Sequence, residues 1–111
     1  MKTTLTLILT SLLLLQTVAV AATKMLSEQR KAELSNMVKQ DCGSCHGLTL
    51  KGGLGPNLNP ERLKLFPIEY LELTILHGRP GTPMPPWSAI LTKSEINYIA
   101  TQLKRGAWYE K

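Results

Sequence analysis

The chain has 111 residues, with 13 Lys and Arg against 8 Asp and Glu, so its formal net charge is +5. The basic residues are spread along the chain rather than gathered in a run, which argues against a nucleic-acid-binding protein. This length allows one small domain, whose apolar core is marginal unless a metal, a cofactor or another staple supports it.

The first 22 residues predict a secretory signal peptide. Lys2 precedes a short apolar stretch, residues 5–15, and Ala19-Val20-Ala21 provides an A-x-A cleavage site. An uncleaved membrane anchor is the alternative, but residues 5–22 include Thr, Ser and Gln and fall short of the ~20 apolar residues of a spanning helix. We therefore expect residues 1–22 to be removed, and residues 23–111 to form one periplasmic domain with no membrane attachment.

The first helix of the mature domain is predicted to begin at Glu28, with Ser27 as its N-cap, and to run into Asp41-Cys42. A loop rich in glycine follows, from Gly47 to Asn59, because Gly and Pro interrupt regular structure. One helical turn is expected within residues 60–65.

Two further helices are predicted in the second half. Pro67 is suited to be the first residue of one helix, which Gly78 ends. Thr92 and Glu95 match the T-x-x-E capping box of the other, which ends at Gly106. No segment shows the alternation of a strand. The fold class is therefore all-α, with three main helices and two long loops that need something to pack around.

Cys42-Gly43-Ser44-Cys45-His46 is a C-x-x-C-H motif, in which two thiols bond one haem and the adjacent His reaches the iron. A disulfide is an alternative, but so short a loop gives little stabilisation. A thioredoxin-like pair needs a βαβ context, and zinc would need Cys42, Cys45, His46 and His77 together. We expect one covalently attached haem c.

Met84 is the predicted second axial ligand of the haem iron, with His77 as the alternative. Pro83 and Pro85 flank Met84, and they restrict the backbone to a rigid, extended loop that can present a thioether. His77 precedes Gly78 at a predicted helix end. A His is favourable there because it interacts with the helix dipole, whether or not it binds iron.

With these motifs, the mature chain resembles the class I cytochromes c, whose fold packs three main helices around one haem. The resemblance includes Gly55-Pro56-Asn57-Leu58. It implies that the Pro56 carbonyl accepts a hydrogen bond from His46 and that Leu58 packs on the haem. Arg79 and Trp87 flank the Met84 loop, and their N–H groups suit hydrogen bonds to the haem propionates. A solvated Arg and a packing Trp are the alternatives.

The segments 42–48, 51–56 and 78–87 are similar to one subgroup, the small periplasmic cytochromes c encoded beside the cytochrome cd nitrite reductase. This implies a carrier of single electrons, not an enzyme, that takes electrons from an upstream donor and passes them to the nitrite reductase in denitrification. Two alternatives stay open: a redox partner in maturation of the special haem of the reductase, and a haem sensor or enzyme in which Met84 is labile.

Overall fold

The computed structural model describes residues 25–111, so the expected signal peptide lies outside the described residues. The elements, in chain order, are α1 (Glu28–Met37), a π-helical segment (Val38–Cys42), α2 (Gly43–His46), α3 (Pro60–Leu63), α4 (Ile68–His77) and α5 (Lys93–Arg105). No strand occurs in this part of the chain, so the prediction of an all-α fold with three main helices, α1, α4 and α5, is confirmed. Between residues 25 and 111, no helix combines the length and apolar character needed to cross a membrane.

Helix α1 begins as the sequence predicts, and the helical chain runs to Cys42 as predicted, but not as one regular α-helix. The Ser27 hydroxyl accepts a hydrogen bond from the backbone N–H of Arg30 at 3.1 Å, as an N-cap should. The α-helical geometry ends at Met37, and the chain reaches Cys42 through a π-helical segment. A π-turn bonds residues five apart instead of four, so it shifts the helical register just before the C-x-x-C-H motif.

Helix α4, the second of the three main helices, begins one residue later than the sequence indicates. Pro67 is the N-cap of α4 rather than its first residue, because its ψ of 149° is extended although its φ of −56° suits a helix. Gly78 ends α4 as predicted, with a φ of 64°.

Both ends of α5 are as predicted. The Thr92 hydroxyl accepts from the backbone N–H of Glu95 at 3.3 Å, and the Glu95 carboxylate accepts from the backbone N–H of Thr92 at 2.7 Å. This reciprocal pair is a capping box. Gly106 then ends the helix in the left-handed conformation, with a φ of 74°.

The core lies around α5, which packs against α4 and α3, and it consists of aliphatic side chains. Its buried members are Leu34, Val38, Leu50, Leu63, Leu71, Leu91, Ile96, Ile99, Ala100 and Leu103. An ion pair, Arg30 Nε to Glu95 Oε1 at 2.6 Å, joins α1 to α5 at its edge. Part of this core forms the wall of the cavity described next.

Candidate haem-binding site

A cavity of about 900 Å³ opens beside the core, within the range of cofactor sites in proteins. It lies between α2 and its following loop on one side and α3, α4 and the Met84 loop on the other. The residues expected to hold or contact the haem all line it: Cys42, Cys45, His46, Pro56, Leu58, Arg79, Met84 and Trp87. His77, the alternative ligand, is exposed and is not part of the lining.

The two cysteines lie on the same wall because Cys42 is the N-cap of α2 and Cys45 lies within its single turn, three residues later. Both are half-buried free thiols, so they are not joined as a disulfide. Burial, helped by the nearby Asp41 carboxylate, raises the pKa of the Cys42 thiol to about 11. The Ser44 hydroxyl donates to the Asp41 carbonyl at 2.7 Å and fastens this turn. Within residues 25–111, no three His, Cys, Asp or Glu side chains cluster as metal ligands.

The His46 ring is oriented by the loop that follows it. Its Nδ1 lies 2.8 Å from the Pro56 carbonyl oxygen. A carbonyl only accepts hydrogen bonds, so Nδ1 carries the proton and Nε2 is left with a free lone pair. The contact implied for Pro56 is therefore present in the structure, and ligation of iron by His46 stays a prediction.

Gly55 allows the loop to pass against the imidazole. A Cβ on Gly55 would lie 2.9 Å from both Nδ1 and Cε1 of His46, too close for any real side chain. The loop is held on α2 by the Gly55 N–H, which donates to the Cys45 carbonyl at 2.8 Å, and by the Gly52 N–H, which donates to the His46 carbonyl at 2.7 Å.

Met84 reaches the cavity from a loop attached to the end of α4. The Arg79 N–H donates to the Met84 carbonyl at 3.1 Å, and the Trp87 N–H donates to the Ile75 carbonyl at 3.1 Å. A Cβ on Gly78 would lie 2.5 Å from the Pro85 carbonyl carbon, so the glycine lets the loop return across the helix end. Met84 is half-buried in the lining.

The structure adds polar lining residues that the sequence did not indicate. Tyr70 and Arg62 line the cavity, and the Arg79 guanidinium donates to the Tyr70 hydroxyl at 2.7 Å. The Tyr70 ring stacks on Phe66 with centroids 5.0 Å apart. In the sequence, Tyr70 could have been recognised as a lining residue because it lies beside the apolar stripe of α4, one residue before Leu71.

Two guanidinium groups at the cavity are available for anionic groups. The ion pairs formed within residues 25–111 involve neither Arg62 nor Arg79. A guanidinium pairs well with a carboxylate such as a propionate. These positions fit a cofactor that carries carboxylates.

The residues present fit a haem. The cavity offers two thiols, an imidazole with a free nitrogen, a thioether, apolar walls and guanidinium groups.

Comparisons with known proteins show which proteins this chain resembles. Residues 29–101 match the family described as cytochrome C oxidase, cbb3-type, subunit III. Cytochrome c55X of Pseudomonas aeruginosa is 50% identical over 78 residues, which are 70% of this chain and 66% of that protein. The chain thus spans just under two thirds of the length of that relative.

A solved structure, that of the c-type cytochrome NirC, is 46% identical and superposes with a TM-score of 0.73. The match covers 77% of this chain and all of the other. A longer protein, a nitrite reductase of Stutzerimonas stutzeri, is 32% identical over an alignment of 107 residues in length, and the match covers 85% of this chain and 19% of the reductase.

Proposed function

The chain belongs to the class I c-type cytochromes, in the family described as cytochrome C oxidase, cbb3-type, subunit III, and we propose that it carries single electrons to a dissimilatory cytochrome cd nitrite reductase in the periplasm. Its fold is the class I fold, and its cofactor is one covalently bound haem c. The residue assignments, the partner and the compartment are the parts that we propose.

We assign Cys42 and Cys45 to the two thioether bonds, and His46 and Met84 to the axial positions. When bound, the haem supplies a one-electron couple between ferric and ferrous iron. His46 presents Nε2, because Nδ1 is held by the Pro56 carbonyl. Leu58 and Trp87 provide apolar wall, and Arg79, also in the lining, would pair with the haem carboxylates.

The observation that carries the proposal is that His46, at the end of α2, and Met84, in its proline-rich loop, line one cavity. With both axial positions filled by side chains, no position remains at which a substrate can bind the metal. The protein then acts by outer-sphere electron transfer rather than as an enzyme. A soft thioether favours ferrous iron and raises the reduction potential above that of a bis-imidazole site.

The nitrite reductase is proposed as the electron acceptor because part of one such reductase is itself similar to this chain. A partner that passes electrons to such a domain needs only a brief encounter over a small interface. Without Lys2 of the expected signal peptide, 12 Lys and Arg against 8 Asp and Glu leave a net charge of +4, which favours a partner with an acidic face. We propose that residues 1–22 direct export to the periplasm, the compartment that we also propose for the reductase.

The ligand assignment is tested on the purified ferric holoprotein by absorption spectroscopy. We expect a Met-to-iron charge-transfer band that is absent in Met84→Ala and present in Met37→Ala. Met37 is the matched control because it is a half-buried methionine in the same lining. A band that survives Met84→Ala, or rapid binding of carbon monoxide by the unaltered ferrous protein, would contradict the assignment and favour the sensor or enzyme.

The partner assignment is tested by mixing the reduced holoprotein with purified cytochrome cd nitrite reductase in a stopped-flow instrument. We expect fast oxidation of the cytochrome that slows as salt is added, because screening weakens electrostatic steering. In a deletion strain, loss of nitrite-reduction rate with an intact special haem supports the donor role. Loss of the special haem itself would instead indicate a role in its maturation.

A further inference from the structure

The loop that presents Met84 has few backbone groups with which to hold its shape. Four of the eight residues from 79 to 86 are prolines, which have no backbone N–H. Its tip is not held by packing either, because a Cβ on Gly81 would find no atom within 4 Å. The loop therefore depends on the hydrogen bonds of its remaining residues.

Thr82 makes several of these hydrogen bonds. Its backbone N–H and its hydroxyl both donate to the Arg79 carbonyl, at 3.0 and 2.7 Å. The same hydroxyl accepts from the backbone N–H of Met84 at 3.3 Å, a long hydrogen bond. One exposed side chain thus joins the residue at which the loop leaves α4 to the predicted ligand.

We propose that the Thr82 hydroxyl is a positioning residue that keeps this loop closed, with Met84 held on the iron and external ligands excluded. The inference rests on the proposed His46/Met84 ligation. Without the hydroxyl, the Met84 N–H has no acceptor within residues 25–111, and the Arg79 carbonyl keeps only the backbone donor of Thr82. Opening of the loop then becomes easier.

A direct contact from this hydroxyl to the cofactor is a different role, and the geometry disfavours it. A hydroxyl has one proton to donate, and that proton goes to the Arg79 carbonyl. It is therefore not free to donate to a propionate. Thr82 acts through the backbone of the loop.

The test uses the holoprotein with Thr82→Val, which replaces the hydroxyl by a methyl group of similar size, and Thr82→Ser, which keeps it. Ferric protein is titrated with imidazole while the Met-to-iron band is followed. One hydrogen bond lost should lower the imidazole concentration at half-displacement by about 2- to 10-fold in Thr82→Val. Thr82→Ser should stay within about twofold of the unaltered protein.

Thermal unfolding measured on the same samples separates loop opening from general loss of stability. The proposal expects the imidazole shift with little change in the unfolding temperature, because Thr82 is exposed. Equal behaviour of Thr82→Val and the unaltered protein, or a Thr82→Ser as weak as Thr82→Val, would overturn it. An unaltered protein that lacks the band would overturn Met84 ligation, and with it this inference.

Discussion

The Nδ1 atom of His46 lies 2.8 Å from the carbonyl oxygen of Pro56, a residue ten positions later in the chain. This contact fixes both the tautomer and the plane of the ring, since the carbonyl can only accept. It also makes the imidazole more electron-rich, which stabilises ferric over ferrous iron. The geometry of the intervening loop therefore influences the reduction potential.

Gly55→Ala should disturb this contact. The added Cβ would lie 2.9 Å from Nδ1 and Cε1 of His46, so the ring or the loop must move. With a weaker hydrogen bond to Pro56, we expect the reduction potential to rise by on the order of 60 mV, a tenfold change in the couple. The measurement is a spectroscopic redox titration. Gly43→Ala is the control, because its Cβ would meet atoms only at 3.4 Å or beyond, and an equal shift there would contradict the argument.

Gly78→Ala should detach Met84 from the iron. The position has a φ of 64°, and a Cβ would lie 2.5 Å from the Pro85 carbonyl carbon and 2.6 Å from the Met84 oxygen. We expect a loss of about 1–3 kcal/mol in stability together with loss of the Met-to-iron band.

Gly106→Ala is the matched control for that change. Gly106 also ends an α-helix with a positive φ, here 74°, so the variant adds a side chain at a comparable backbone position. There the Cβ would approach the Pro60 ring, which does not line the cavity. It should therefore lower the melting temperature but keep the band. If both variants keep the band, the return of the loop across Gly78 does not position Met84.

Arg79→Gln should lower the reduction potential. Removing a cation that lines the cavity disfavours the ferrous state, which carries one positive charge fewer than the ferric state. We expect a decrease of a few tens of mV, against 59 mV for a tenfold change in a one-electron couple. Lys64→Gln removes the same charge from an exposed residue paired with Glu61, and it should leave the potential nearly unchanged. Equal shifts in the two variants would indicate a general charge effect.

Glu95 should make stability depend on pH. The hydrogen bond from Arg30, followed by that from the Thr92 backbone, lowers the pKa of this buried carboxyl below its ordinary value of about 4.5. A carboxyl whose folded-state pKa is depressed stabilises the fold above its unfolded pKa and loses that contribution as the pH falls through the folded one. Glu95→Gln should therefore cost about 1–2 kcal/mol at pH 7.

The same variant should approach the unaltered protein as the pH falls below the ordinary value of about 4.5 and through the depressed pKa of Glu95. Denaturant unfolding of both proteins from pH 3 to 7 measures this. A cost that does not depend on pH would show that the shape of the side chain matters rather than its charge.

The helix ends were predictable from sequence because their signals are local. Ser27, the Thr92–Glu95 pair and Gly106 cap helices through contacts within a few residues. Pro67 was placed one residue too far into its helix, since a proline φ suits both the first helical residue and the residue before it.

Other features depend on the folded chain and could not be predicted in this way. The π-helical segment at Val38–Cys42 leaves no signature in hydrophobic spacing. The contact between Arg79 and Tyr70 forms across the end of a helix. The spacing of hydrophobic residues carries no information about such a contact. The motifs therefore predicted part of the cavity lining, but not its polar residues Tyr70 and Arg62.

The ion pair between Arg30 and Glu95 joins residues 65 positions apart, so it closes a segment that contains the C-x-x-C-H motif and the Met84 loop. Separating α1 from α5 requires this pair to break. The pair therefore helps to keep the segment between them, and the cofactor attached to it, enclosed.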